Sequence, residues 1–207
     1  MKTNKLNTSI KISLLGAIAF LLMYIEIPLP IFPSFLRIDI GDLPALIGAF
    51  AFGPMAGVLV ELVKNILYAI FKGNTALIGE TANFIIGAIL AYSAGTVYKL
   101  NKSRKGAFMG LLVGALAMTA AGAILNYFVF LPLYEKILGF KISAVVGMGA
   151  AINPRITNLN TFIVWIIVPY NLLKAAVVSI VTLAVYKSVS PILHREFRAQ
   201  KIAAKKS

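Results

Sequence analysis

A small set of polar side chains interrupts long apolar runs, and their spacing groups them. Glu61 and Lys64, Glu80 and Asn83, and Asn171 and Lys174 are each three residues apart, so each pair shares one face of a helix. Asn65 follows Lys64, and Asn126 stands in a later apolar run. A charge inside a bilayer costs roughly 2.5–3.5 kcal/mol on insertion scales, so each one needs a reason. For Glu61 and Lys64 the spacing predicts an ion pair on one helix, while asparagines also serve to bond helix to helix. Lys174 has no neighbouring acid on its own helix. Either it pairs with Glu80 across the bundle, or it donates hydrogen bonds to a ligand.

The chemistry these residues do not support is equally definite. There is no cysteine, which excludes disulfides, iron–sulfur clusters and thiol nucleophiles. The single histidine, His194, lies in a basic tail, so a metal site or a His-dependent triad among the spans is not expected. No glycine-rich phosphate loop of the Walker type is present. No bound metal or cofactor is expected, and an enzyme is the weakest reading. A binding protein or solute carrier remains.

Of the 207 residues, 59% are hydrophobic and 13% charged, with a mean hydropathy of +0.88. A typical soluble domain carries about 25% charged residues, so the composition excludes disorder and argues against a water-soluble globule. The net charge of +13 would suggest nucleic acid in a soluble protein. Here the basic residues sit in short segments flanking apolar runs, which points to a membrane instead.

The elements that must position the polar residues follow from length and breakers. A first span is expected over 9–27, ended by Pro28, Pro30 and Pro33, which cannot continue a helix. A loop over 28–41 carries Phe32, Phe35, Arg37 and Asp39. A short apolar helix over 42–52 has Asp42 as its N-cap and Pro44 in its first turn. Gly53-Pro54 breaks it, and further spans are expected over 55–71, 77–98, 106–130 and 161–186. The intervening segment 131–160 has a middle, 142–152, too short to cross a membrane; it reads as an interfacial helix or a lid. The fold class is therefore an all-α six-helix membrane bundle forming a single domain, with a short N-tail over 1–8 and a basic C-tail over 187–207.

Lysine and arginine enrichment marks cytoplasmic flanks. Lys2, Lys5 and Lys11, then Lys99, Lys102, Arg104 and Lys105, then the cluster from Lys187 to Lys206 all fall on one side if the spans number six. Both termini are then cytoplasmic. With that orientation the intramembrane polar residues converge on the outer half of the bilayer. The pattern predicts one polar pocket open to the outside and roofed by the proline-rich loop.

The residues from Arg37-Ile-Asp39-Ile-Gly41-Asp42-Leu-Pro44 through Gly53-Pro54 to Glu61-Leu-Val-Lys64-Asn65 resemble the substrate-binding S components of energy-coupling factor (ECF) transporters. Glu26-Ile-Pro28-Leu-Pro30, Asn83-Phe-Ile-Ile-Gly87 and Asn171-Leu-Leu-Lys174 extend the resemblance in order along the chain, most closely to the riboflavin-specific members. The resemblance implies a subunit that captures a vitamin at the outer face. It also implies assembly with a transmembrane coupling subunit and two cytoplasmic ATPase subunits. By position, Asn171 and Lys174 match that family's polar contacts best, followed by Asn126, with Glu80, Asn83, Asp39 and Phe35 further candidates. Family members often dock the coupling subunit on an alanine-x-x-x-alanine face of span one. Ser9, Ser13 and Ala17 form the equivalent stripe here, with Gly16 beside it.

Riboflavin is an uncharged planar ring system with a polar imide edge and a hydroxylated chain. A site for it needs apolar or aromatic walls and a few placed donors and acceptors, which asparagine supplies. Candidate walls are Phe32, Phe35, Phe84, Tyr127 and Trp165. Thiamine would favour an acid-lined site around Glu80, and biotin an ion pair with Lys174. A structural subunit without ligand and a self-sufficient uniporter are the readings from other classes.

Overall fold

The computed structural model describes residues 2–205, with side chains over 6–186. Of the two expected tails, residues 1–5 and 187–207 lie outside the described side chains. Helix α1 (Lys2–Tyr24) stops before the prolines, and Ile27-Pro28 (β1) pairs antiparallel with Arg37-Ile38 (β2), Ile27 facing Ile38 and Pro28 facing Arg37. The short α2 (Leu43–Phe52) and the longer α3 (Pro54–Lys72) meet at Gly53, whose φ of +104° is a conformation that side chains disfavour. Helix α4 (Ile78–Leu100) returns, and α5 (Arg104–Leu125) begins behind a Ser103 cap that accepts from the Gly106 amide.

Helix α5 does not end where the apolar run was expected to end. It continues through a π-helical turn (Asn126–Phe130) into α6 (Leu131–Leu138), with Pro132 in the first turn of α6, directly after the π-helical turn. The short α7 (Ile142–Ile152) lies where a non-crossing helix was expected. A capping box at Asn158 and Thr161 starts α8 (Leu159–Phe162). A second π-helical turn (Ile163–Ile167) then leads into α9 (Val168–Lys205).

Five of these helical stretches are long and apolar enough to cross a membrane. Of the two shorter apolar helices, α2 and α7, α2 takes the place of the sixth expected span and is only about 15 Å long, half of a hydrocarbon core of about 30 Å. Its partner in the hairpin is α3, against which small residues permit close approach: Ala45, Ala49 and Ala56 are buried with Val60, Ala19 of α1 and Ala91 of α4. A larger core joins α2, α4, α5 and α9 through Leu46, Phe50, Leu90, Met118 and Val178. At the end of that core Tyr98 and Tyr186 meet hydroxyl to hydroxyl at 3.0 Å, and the Phe50 ring lies 4.4 Å from that of Tyr98.

Candidate functional site

Asp42 stands eleven residues before Gly53 and Lys64 eleven residues after it. The α2–α3 hairpin therefore brings them to the same depth, and the Lys64 ammonium lies 2.5 Å from Asp42 and 2.6 Å from Glu61. The i,i+3 pair expected from spacing is present, with Asp42 as a second acid. Asp42 does occupy the N-cap position, but its side chain makes no capping bond; its carboxylate is turned to the lysines. Lys174 of α9 completes the chain of charges, 3.0 Å from Asp39 and 3.5 Å from Asp42. All five side chains are buried. The pairing of Lys174 with Glu80 does not occur. The loop over 25–42 folds into the bundle and brings Asp39 and Asp42 to Lys174, while Glu80 accepts from the Thr75 hydroxyl at 2.5 Å.

Beside this network lies a cavity of about 390 Å³, within the size range of small-molecule sites. Asn83, Asn126, Asn171, Lys174, Glu80, Asp39 and Phe35 all line it, so seven of the eight expected site residues share one void. The amides of Asn126 and Asn171 each donate at 2.8 Å to the carbonyl four residues back, Gly122 and Ile167 respectively. That choice turns their carbonyl oxygens away from the helix backbone. The Asn83 carbonyl oxygen is buried without a protein partner. Gly122 faces Asn171 so closely that a Cβ there would lie 2.7 Å from the amide nitrogen.

The aromatic walls differ from those expected. Tyr127 does not line the cavity; the π-helical turn that begins at Asn126 carries it into a neighbouring apolar cluster, its ring against Phe128. Phe32 is buried against Tyr170, Trp165 lies outward under Arg155, and Phe84 is also off the lining. Phe35 is a wall as expected, and the others are Tyr68, Tyr134, Phe140 and Tyr170, with Met23 and Met118. Two of the unexpected walls had a signal in the spacing: Tyr68 lies one turn beyond Lys64, and Tyr170 one turn before Lys174. Tyr134 and Phe140 arrive only because α5 overruns its expected end.

At the mouth, Glu26 accepts from Arg37 at 2.5 Å, Lys72 at 2.7 Å and Tyr68 at 3.1 Å. Burial pushes the Glu26 carboxyl up, but hydrogen bonds and charges from Lys72 and Arg37 outweigh it and hold the group below the usual carboxylate range. The Tyr170 hydroxyl donates to the Arg37 carbonyl at 2.7 Å, pinning the ribbon to α9. Among the described residues no group of three or more histidine, cysteine or carboxylate side chains is arranged to hold a metal.

This arrangement can be set against known proteins. The family model for the substrate-specific component of ECF transporters matches residues 7–186. The chain belongs to that family. This S component is 39% identical over 186 residues to the riboflavin transporter RibU of Staphylococcus aureus (strain TCH60), covering 90% of this chain and 92% of that one. It is 34% identical over 200 residues to the riboflavin transporter FmnP of Bacillus subtilis (strain 168), covering 95% and 97%. A solved S component of a bacterial ECF transporter superposes with a TM-score of 0.72 at 36% identity, over 91% of this chain and 98% of that one. The S component is thus a multi-pass membrane protein of a transporter family.

The stripe expected to dock a coupling subunit is only partly on the surface of this S component. Ser9 and Ser13 are exposed and Ala17 is half-buried, whereas Gly16 is buried. Gly16 faces inward because a Cβ there would run into Val63 of α3; it packs α1 onto its own bundle.

Proposed function

We propose that this S component binds riboflavin and hands it to an ATP-driven importer. The observation that carries the reading is the character of the cavity. Its lysine is already neutralised by Asp39 and Asp42, while three asparagines and an aromatic wall remain for a guest. Such a site suits an uncharged planar molecule: asparagine amide oxygens, that of Asn83 buried and unpaired, match imide and hydroxyl donors, and tyrosine and phenylalanine rings match a flat ring system. The names of the relatives support the same ligand. Asn83, Asn126 and Asn171 are the polar contacts, Lys174 an additional donor to a flavin carbonyl, and Phe35 a wall. Glu80 has no cationic partner among the described residues and is the feature that would suit a cationic vitamin such as thiamine.

In this reading both termini are cytoplasmic and the cavity faces outward. Ser9, Ser13 and Ala17 lie on the face of α1 that meets a coupling subunit, itself driven by two ATPase subunits. No bound cofactor is needed. The deciding experiment is titration of purified protein with riboflavin, thiamine and biotin without ATP. Riboflavin alone should quench on binding and raise the unfolding temperature. Asn83→Ala should weaken binding by about 1–3 kcal/mol without lowering the stability of the empty protein. No response to any flavin overturns the ligand, and an unchanged Asn83→Ala curve overturns the site.

A further inference from the structure

Helix α7 plays no part in the cavity, and its outer face has no protein partner among the described residues. Val145 and Gly149 pack inward onto Ile156 and Phe162, Gly149 so tightly that a Cβ would lie 2.7 Å from the Phe162 ring. The rest of its surface, Ser143, Ala144, Gly147, Met148, Ala151 and Ile152, is exposed and, Ser143 apart, apolar. At 11 residues the helix is about 16 Å long and cannot cross a membrane.

Depth and charge identify what covers that face. The helical stretch Arg104–Leu138 has 35 residues, about 52 Å of helix, well beyond a hydrocarbon core of about 30 Å. Helix α7 follows its far end. Ile156 and Phe162, on which α7 rests, flank the contact in which the Arg155 guanidinium lies 5.6 Å from the Trp165 ring. A half-exposed tryptophan under an arginine marks the level of lipid headgroups. Lys136, Lys141 and Arg155 are exposed around α7. The nearby acid, Glu135, accepts from the Ile142 amide at 3.1 Å and so caps the helix; it pairs with no cation among the described residues. Leu133 and Ile137 of α6 and Val164 of the second π-helical turn are exposed apolar side chains as well. We infer that α7 is an interfacial helix seated in the leaflet on the cavity side, its apolar face among acyl chains and Lys136, Lys141 and Arg155 on anionic lipid phosphates. Phe140, in the cavity wall one residue before the Lys141 cap, is held by that seat.

The chain has one tryptophan and no cysteine, which makes the test direct. The full chain is placed in nanodiscs of phosphatidylcholine with or without phosphatidylglycerol, without vitamin, with Met148→Cys carrying an NBD fluorophore. The expected result is blue-shifted emission, quenched more by lipids brominated near the headgroup than by those brominated near the chain end. The same label at Thr157→Cys, in the polar loop, should be quenched by aqueous iodide instead. Replacing Lys136, Lys141 and Arg155 together by glutamine should reduce the preference for brominated phosphatidylglycerol several-fold. Native Trp165 fluorescence gives a label-free second reading, with the strongest quenching again expected from shallow bromines. Three results overturn the inference: an iodide-accessible probe at 148, a probe that enters an apolar environment only when vitamin is added, or a lipid preference indifferent to the three cations.

Discussion

The Lys174 ammonium stands 3.0 Å from an Asp39 carboxylate oxygen, across 135 residues of sequence. The contact joins α9 to the loop that enters the bundle after α1, and it fixes both the charge balance and one wall of the cavity. A buried ion pair gives little net stability, but removing one partner leaves an uncompensated charge.

Lys174→Met should therefore destabilise the empty protein by about 3–5 kcal/mol, read as a loss of unfolding temperature in detergent. The double variant with Asp39→Asn should lose less than the sum of the single changes, because Lys64 still holds Asp42 at 2.5 Å. Strict additivity would show that the contact carries no coupling.

Gly122→Ala tests whether Asn171 is positioned from α5. The added methyl would sit 2.7 Å from the Asn171 amide nitrogen, so the side chain must shift. Overpacking of this kind costs about 1–3 kcal/mol. Riboflavin affinity is expected to fall at least tenfold in an equilibrium titration, with Gly122→Ser no better.

The mouth cluster predicts an acid limb in stability. The Glu26 carboxyl is held below its ordinary value near 4.5, so its contribution is present above that pH and is lost as pH falls through the folded-state value. Wild type and Glu26→Gln should differ in unfolding temperature at pH 7, and the difference should shrink as the pH falls below that ordinary value. Because Arg37 is 48% exposed in this pair, solvent screening keeps the difference small.

Tyr98→Phe removes one partner from the buried hydroxyl pair and leaves Tyr186 unsatisfied. The expected cost is about 1–3 kcal/mol. Replacing both tyrosines by phenylalanine should recover part of it, and vitamin affinity should stay unchanged because neither ring lines the cavity.

The amino-acid sequence by itself determined the membrane class, the boundaries of most helices and the polar face of each. Those properties follow from local periodicity, proline and glycine breaks and the cost of charge in lipid. The Glu61–Lys64 pair was legible because three residues separate its members on one helix, and Asp42 was within reach of the same reasoning from its distance to Gly53. The tertiary structure alone decided the partner of Lys174, since no local rule says that a loop will fold inward onto α9. It also decided the aromatic walls. One π-helical turn carries Tyr127 off the lining, and the continuation of α5 past Phe130 brings Tyr134 and Phe140 onto it. Helical phase accumulates along a segment, so one extra residue in a turn redirects every side chain beyond it, and only packing against the other helices determines whether that turn forms.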